Sequence, residues 1–187
     1  MLKKWPAVTM GVLSAFLAAG CQSLGGSGSA GAAANPELMP KACTGNLMRR
    51  YALFGLPPTA PGAQRKANKS QPLQYATSHP VSLTLTAITA WRDLGNGWST
   101  LGLRLASNNA GSLSVHLTDV SLPPEAEVWF CSPDGETMRQ GPLRAAGDGQ
   151  LSTPVVRGSE AVLEVIAPTA SVPQTSLTLA EVFGGFR

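Results

Sequence analysis

Residues 101–117 have the sequence LGLRLASNNAGSLSVHL, and this stretch decides the fold. Leucine or valine occupies every second position of its first and last five residues, with Gly, Arg, Ser or His between them. A period of two places alternate side chains on opposite faces of a strand, so each end is predicted to be a strand with one apolar face. Asn108-Asn109 between them is a turn signal. The stretch therefore predicts two strands joined by a turn.

The same alternation recurs on both sides of this stretch. It is found at 81–86, 126–131, 161–166 and 177–180, with weaker candidates at 137–140 and 152–156. Turn signals rich in Gly, Pro, Asn and Asp separate these segments. The chain is 43% hydrophobic and only 13% charged, which does not fit a disordered chain. About eight short strands at this spacing predict an all-β fold, namely an antiparallel, jelly-roll-like β-sandwich over residues 81–187.

Residues 1–20 have the features of a lipoprotein signal peptide. Lys3 and Lys4 precede an uncharged run that is too short to span a bilayer comfortably. The run ends in Leu17-Ala18-Ala19-Gly20-Cys21, which resembles the lipobox of bacterial lipoproteins, where the signal is cut before a lipid-carrying cysteine. We therefore expect lipid on Cys21; the alternative is an ordinary secretory signal with a chance cysteine. Gln22 after Cys21, in place of Asp, resembles sorting to the outer membrane, facing the periplasm.

A tether and a basic neck are predicted between the signal and the sandwich. Residues 21–35 are rich in Gly, Ser and Ala and are expected to be flexible. Residues 36–80 form the neck. Within it Leu47, Tyr51 and Phe54 have helical spacing, and a short helix is predicted over 44–54, between Thr44 as a cap and Gly55 as a stop.

The neck also carries a polar, proline-bearing loop with the basic residues Arg65, Lys66 and Lys69. One interpretation is a solvated loop. The alternative is contact with an anionic surface such as lipopolysaccharide or phospholipid. Removing Lys3 and Lys4 lowers the net charge of the chain from +3 to +1, which argues against a nucleic-acid partner.

Few residues suggest catalysis or metal binding. His79 and His116 lie far apart in the sequence, and no Cys, His or carboxylate cluster has the spacing of a zinc site. Nucleophile-elbow, phosphate-loop and dinucleotide motifs are absent from the sequence. We therefore expect no catalytic residue, no metal and no cofactor.

Cys43 and Cys131 are predicted to form a disulfide, because an even pair of cysteines in an oxidising compartment is more often bonded than free. On the segment 126–131, Cys131 and Trp129 lie on the face opposite to Ala126, Val128 and Phe130. If the latter face the sandwich interior, the amphipathic segment 44–54 is expected to dock over Trp129. Docking there would bring Cys43 close to Cys131.

The C-terminal half, Trp98 to Arg187, resembles the amino-terminal pro-region domain that precedes the trypsin-like catalytic domain in secreted bacterial proteases of the lysyl-endopeptidase type. The matching pieces include Asn109-Ala110-Gly111-Ser112-Leu113, Leu122-Pro123-Pro124-Glu125-Ala126, Ser132-Pro133-Asp134-Gly135, Thr153-Pro154-Val155-Val156-Arg157-Gly158 and the end at Gly185-Phe186-Arg187. Neither Ala-His-Cys nor Gly-Asp-Ser-Gly-Gly occurs, so we expect the protease domain and its activity to be absent. The resemblance implies a non-catalytic sandwich that contacts proteins, as a pro-region contacts its protease.

Two functions are consistent with these observations. The preferred one is a non-catalytic, lipid-anchored envelope protein whose sandwich binds another protein, such as a protease, a chaperone client or an envelope complex. The alternative is a carbohydrate- or peptidoglycan-binding module, for which Trp91, Trp98 and Trp129 are candidate sugar platforms, although large aromatics also fill sandwich cores. An enzyme is the third and least favoured class.

Replacing the expected lipid acceptor tests the anchor. The Cys21→Ala variant should leave the membrane fraction and lose detergent-phase partitioning, because no thiol remains to carry lipid. Phase partitioning of the wild type and variant measures the change. A variant that stays in the membrane fraction unchanged would contradict the lipoprotein prediction.

Overall fold

The computed structural model describes residues 34–59, 75–135 and 137–186. One-turn helices form at α1 (Gly45–Met48) and α2 (Leu85–Ile88), and 3-10 turns at Pro36–Leu38 and Thr169–Gln174. Eleven strands lie in the described residues: β1 (Ala52–Leu56), β2 (Ala76–Thr84), β3 (Arg92–Gly95), β4 (Trp98–Ser107), β5 (Ser112–Ser121), β6 (Glu127–Cys131), β7 (Arg139–Leu143), β8 (Leu151–Ser152), β9 (Val156–Arg157), β10 (Glu160–Pro168) and β11 (Ser176–Gly185).

The strands form two sheets. The six-stranded sheet has the order β1-β4-β10-β6-β7, and β3 also pairs with β4. The five-stranded sheet has the order β2-β11-β5-β8, and β9 also pairs with β5. Every pairing is antiparallel except that of β1 with β4, which is parallel. The predicted all-β sandwich is therefore confirmed, with more strands than expected.

The alternating apolar positions form the core between the sheets, as the period of two predicts. Leu101, Leu103 and Leu105 of β4 are at most 1% exposed. They pack with the inward residues of the other long strands, which include Leu113, Val115, Leu117, Val128, Phe130, Ala161, Leu163, Val165, Leu177 and Leu179.

The predicted helix over 44–54 is wrong in extent. It ends at Met48, and after a turn the chain enters β1, which pairs with β4. As residues of this strand, Phe54 and Leu56 pack against the main core. Residues 76–80, expected to be neck, form the first half of β2, whereas Leu85, expected to be strand, begins α2.

Truncation of a buried and of an exposed leucine should have very different effects on the stability of the protein. Leu105→Ala should lower the free energy of unfolding by about 2–5 kcal/mol, because it leaves a cavity at a position that is 0% exposed. Leu53→Ala, on β1 at a position that is 58% exposed, should change it by no more than about 0.5 kcal/mol. Urea denaturation of both variants measures the difference, and equal effects would contradict the assigned inward face of β4.

Candidate functional site

A segment that we call the strap, residues 34–51, packs on the outer face of the six-stranded sheet. Its Ala42, Cys43, Met48 and Tyr51 form a second buried apolar cluster with residues of the sheet: Trp98, Cys131, Val162 and Ile166. This cover explains why β10 is buried on both faces along nearly its whole length. The sequence predicted one buried face for this strand, and the strap provides the second.

The strap is fastened to the sheet by the predicted disulfide, which is confirmed. Cys43 and Cys131 are joined with a Cα–Cα distance of 6.3 Å, and the two residues are 3% and 0% exposed. The bond spans 88 residues of sequence, which in the chain-entropy account stabilises the fold by up to about 4.5 kcal/mol. Trp98 adds a second link, because its Nε1 donates to the carbonyl of Asn35 at 2.9 Å.

A carboxylate lies buried between the strap and the sheet. Glu164 of β10 is 0% exposed and lies in register with Gly102 on one side and Trp129 on the other. Its two oxygens accept hydrogen bonds from the backbone N–H of Cys43, from the hydroxyl of Tyr51 and, at 3.3 Å, from the hydroxyl of Thr100 on β4. Burying a carboxylate without hydrogen-bond donors costs much free energy. The strap can therefore pack over Glu164 only if these bonds form.

The ring of Tyr51 fits into this site because the residue beneath it, Gly102, has no side chain. A Cβ on Gly102 would lie 2.3 Å from the Tyr51 ring, so the ring rests directly on the backbone of β4. Its hydroxyl oxygen lies 3.1 Å from Oγ1 of Thr100. Burial, and then the charge of Glu164, raise the pKa of the Tyr51 hydroxyl well above its ordinary value of 10.0. The phenol therefore stays protonated and remains a hydrogen-bond donor.

The turn after β6 also closes on the strap. Gly135 has φ +70°, and a Cβ there would meet the carbonyl oxygen of Cys43 at 1.9 Å. Gly141 makes comparable room for the ring of Trp129, which its Cβ would approach to 2.6 Å. Glycines at these positions let the outer layer lie close to the backbone.

All three candidate tryptophans contact other parts of the protein. Trp98 is 2% exposed within the strap cluster, and Trp91 packs against the main core. Trp129 lies under the guanidinium of Arg139, 5.3 Å from the ring centroid, and its Nε1 donates to Glu127 at 2.8 Å. The sequence left open whether these tryptophans bind sugars or fill the core, and these contacts favour the structural role.

The two histidines lie apart from this site. His116 is on β5, where its Nδ1 lies 2.9 Å from the hydroxyl of Ser152. His79 is on β2, and its Nε2 is buried. Among the described residues, no group of three or more His, Cys, Asp or Glu could hold a metal ion. Nor does any helix within those ranges have the length and apolar character needed to cross a membrane.

Four predicted site residues, Cys21, Arg65, Lys66 and Lys69, lie outside the described residues. Glu164, Tyr51 and Gly102 were missed as a group by the sequence reasoning. The available signals were Glu164 as the one charge in the apolar run 161–166 and Gly102 between two leucines of a central strand. Neither signal identifies its partner, which comes from a segment more than 110 residues from Glu164.

The fold and site define a disulfide-linked β-sandwich domain with a covered outer face. The chain matches the lysyl endopeptidase N-terminal domain over residues 56–180, which is more than half its length, and it belongs to that family. The match begins well before Trp98, where the sequence resemblance began, and so includes β2 and β3. It covers the pro-region domain and not the catalytic domain of those proteases. No curated protein and no solved structure matches the chain significantly.

Two glycine substitutions test the seating of Tyr51. Gly102→Ala should destabilise the protein by about 1–3 kcal/mol, because the new methyl overlaps the ring and displaces its hydroxyl from Glu164. Gly55→Ala, in strand β1 with no atom within 4 Å of the added Cβ, should change stability by no more than about 1 kcal/mol. Thermal or urea unfolding compares them, and a Gly102→Ala variant as stable as the wild type would contradict this packing.

Proposed function

We propose that this protein is a non-catalytic, lipid-anchored protein of the bacterial envelope whose sandwich binds another protein. Membership in a pro-region family supports this, because such a domain belongs beside a protease and not to its catalytic machinery. The partner would be a protease, a chaperone client or an envelope complex.

The observation that carries the proposal is the exposed Tyr75, which pairs through its backbone with the partly buried Phe186 at one end of the five-stranded sheet. Tyr75 is 76% exposed, the highest value among the exposed large hydrophobic residues of the described chain. Its carbonyl accepts a hydrogen bond from the backbone N–H of Phe186 at 3.1 Å, so the start of β2 and the end of β11 meet there. Tyr and Phe are enriched in protein interfaces, and Tyr among their energetically dominant residues.

The location of this pair supports the same partner class. The segment through Gly185 and Phe186 resembles the part of the family that runs into the protease domain. A partner that occupied the place of that domain would therefore approach the sandwich from the end that carries Tyr75 and Phe186.

Lipid anchoring and an outer-membrane location facing the periplasm remain part of the proposal. The lipobox-like sequence ending at Cys21 supports the anchor, and the bond between Cys43 and Cys131 fits an oxidising compartment. The basic residues Arg65, Lys66 and Lys69 would add attraction to anionic head groups. We propose no cofactor and no nucleic-acid partner.

A second candidate, binding of a carbohydrate such as peptidoglycan or lipopolysaccharide, is favoured by one surface. The outer face of the five-stranded sheet is rich in hydroxyls, with Ser78 and Ser114 on either side of Phe183 in register. Phe183 is partly exposed and belongs to neither buried cluster. An accessible ring flanked by hydroxyls can stack on a sugar and hydrogen-bond its edge.

One pair of substitutions tests the protein-binding proposal. With the mature domain as bait in envelope extract, Tyr75→Ala should lose the proteins that the wild type retains, because truncation removes the exposed ring. Leu53→Ala is the matched control, since Leu53 is also exposed, at 58%, but lies on β1 of the other sheet. Quantitative mass spectrometry of the eluates measures the loss.

Sedimentation with peptidoglycan separates the two functions. Binding there that survives Tyr75→Ala but is lost in Phe183→Ala would replace protein binding with the carbohydrate alternative. Retention of the same proteins by wild type and Tyr75→Ala would contradict the proposed aromatic contact.

A further inference from the structure

We infer that the strap is a latch with two independent fastenings, the redox-sensitive Cys43–Cys131 disulfide and the buried carboxylate of Glu164, which reduction does not affect. Opening the disulfide alone leaves the strap docked. Opening it when Glu164 cannot accept its hydrogen bonds releases the strap and uncovers the outer face of the six-stranded sheet.

The first fastening is covalent and joins the middle of the strap to a central part of the sheet. Cys131 is the last residue of β6, where it lies in register with Val162 of β10. A reducing dithiol would open the bond by supplying two electrons and two protons. It would leave the thiols of Cys43 and Cys131 and would itself become a disulfide.

The second fastening does not involve sulfur. Glu164 accepts from the backbone N–H of Cys43 and from the hydroxyl of Tyr51, so both bonds are still available after reduction. Each joins the strap to β10, and the carboxylate that receives them is fully buried. Hydrogen bonds to an ionised group are stronger than those between neutral groups, so this fastening can hold without the disulfide.

Glu164 forms no ion pair within the part of the chain that the structure describes, so its burial depends on its hydrogen-bond donors, which are Cys43 and Tyr51 of the strap and Thr100 of β4. The carboxylate of β10 that does form an ion pair is Glu160, which is bound by Arg104 of β4. Arg92 of β3 is near enough to act on the Tyr51 hydroxyl, and its guanidinium lies 3.5 Å from the carbonyl of Arg50. The remaining charged groups that the structure describes on the surrounding elements are Glu37, Lys41, Arg49 and Arg50 of the strap, Asp93 of β3, Glu127 and Arg139 beside Trp129, and Asp134 in the turn after β6.

What the latch covers is an apolar surface. Val162 and Ile166 are each 1% exposed beneath the strap, with Trp98 at 2%. With the strap released, these side chains and the thiol of Cys131 would face solvent. Both fastenings must therefore open before this face becomes available for contact.

Alkylation of the two thiols after reduction measures the opening directly. The full chain carries Cys21→Ser so that only Cys43 and Cys131 react, and iodoacetamide is added after reduction with a dithiol under native conditions. In the reduced parent, alkylation should be slow because the docked strap covers both sulfurs. In the reduced Glu164→Gln variant it should be faster by about tenfold or more, because a hydrogen bond to a charged group typically contributes at least that factor.

Two further variants keep the test decisive. Glu160→Gln is the matched control, a partly exposed carboxylate on the same strand that does not hold the strap, and its alkylation should follow the parent. Tyr51→Phe keeps the ring but loses one donor, and should give an intermediate rate even where Glu164→Gln folds poorly. Circular dichroism of the oxidised proteins confirms that the sandwich is intact.

Three results would overturn the inference. Fast alkylation of the reduced parent would mean that the disulfide is the sole fastening. Slow alkylation of both Glu164→Gln and Tyr51→Phe would mean that apolar packing alone holds the strap. Equal acceleration in Glu160→Gln and Glu164→Gln would indicate general loosening of the sheet.

Discussion

A carboxylate without a counter-ion in contact can be buried only where hydrogen-bond donors are supplied to it, and Glu164 imposes this constraint on the outer layer of the protein. One donor, the Thr100 hydroxyl, comes from β4, and the other two come from Cys43 and Tyr51 of the strap, so the strap must lie across β10 where both of its donors reach the carboxylate. Tyr51 can reach the carboxylate only because Gly102 leaves space for its ring. The disulfide, the turn at Gly135 and the burial of β10 on both faces all agree with that single placement.

The two faces of the sandwich consequently have different characters. The six-stranded sheet is covered by its own N-terminal segment and carries an apolar layer beneath it. The five-stranded sheet presents hydroxyls and the ring of Phe183 on its outer face, and the pair formed by Tyr75 and Phe186 at one end. Functions that need contact with another molecule are thus more readily accommodated on the second sheet while the strap is docked.

The period-two pattern was sufficient to predict β4, β5, β6, β10 and β11 and the inward face of each, because burial of alternate apolar residues dominates their formation. It was wrong for β2, where Leu83 is 37% exposed and Leu85 belongs to α2. The pattern also placed Cys131 on the outer face, which agreed with the disulfide to Cys43 that was predicted from the even pair of cysteines and from docking of the segment 44–54. The pattern failed for β1 and β3, which are short and owe their pairing to the neighbouring β4. The helical spacing of Leu47, Tyr51 and Phe54 was misleading, because these side chains go to two different clusters. The carboxylate site was not predictable, since hydrogen bonds between distant segments leave no periodic signal.

The position of the disulfide also determines how the domain would bear a mechanical load. In a domain held at Cys21, tension would enter the described chain at residue 34 and pass through the Cys43–Cys131 bond into β6. That strand is held by neighbours on both sides, β10 and β7. With the bond intact, β1, which is bound to the sheet through β4, lies outside the load path and is not peeled away. With it reduced and the strap free, the same tension would reach β1 first. The cross-link therefore directs force away from β1, at one edge of the sheet.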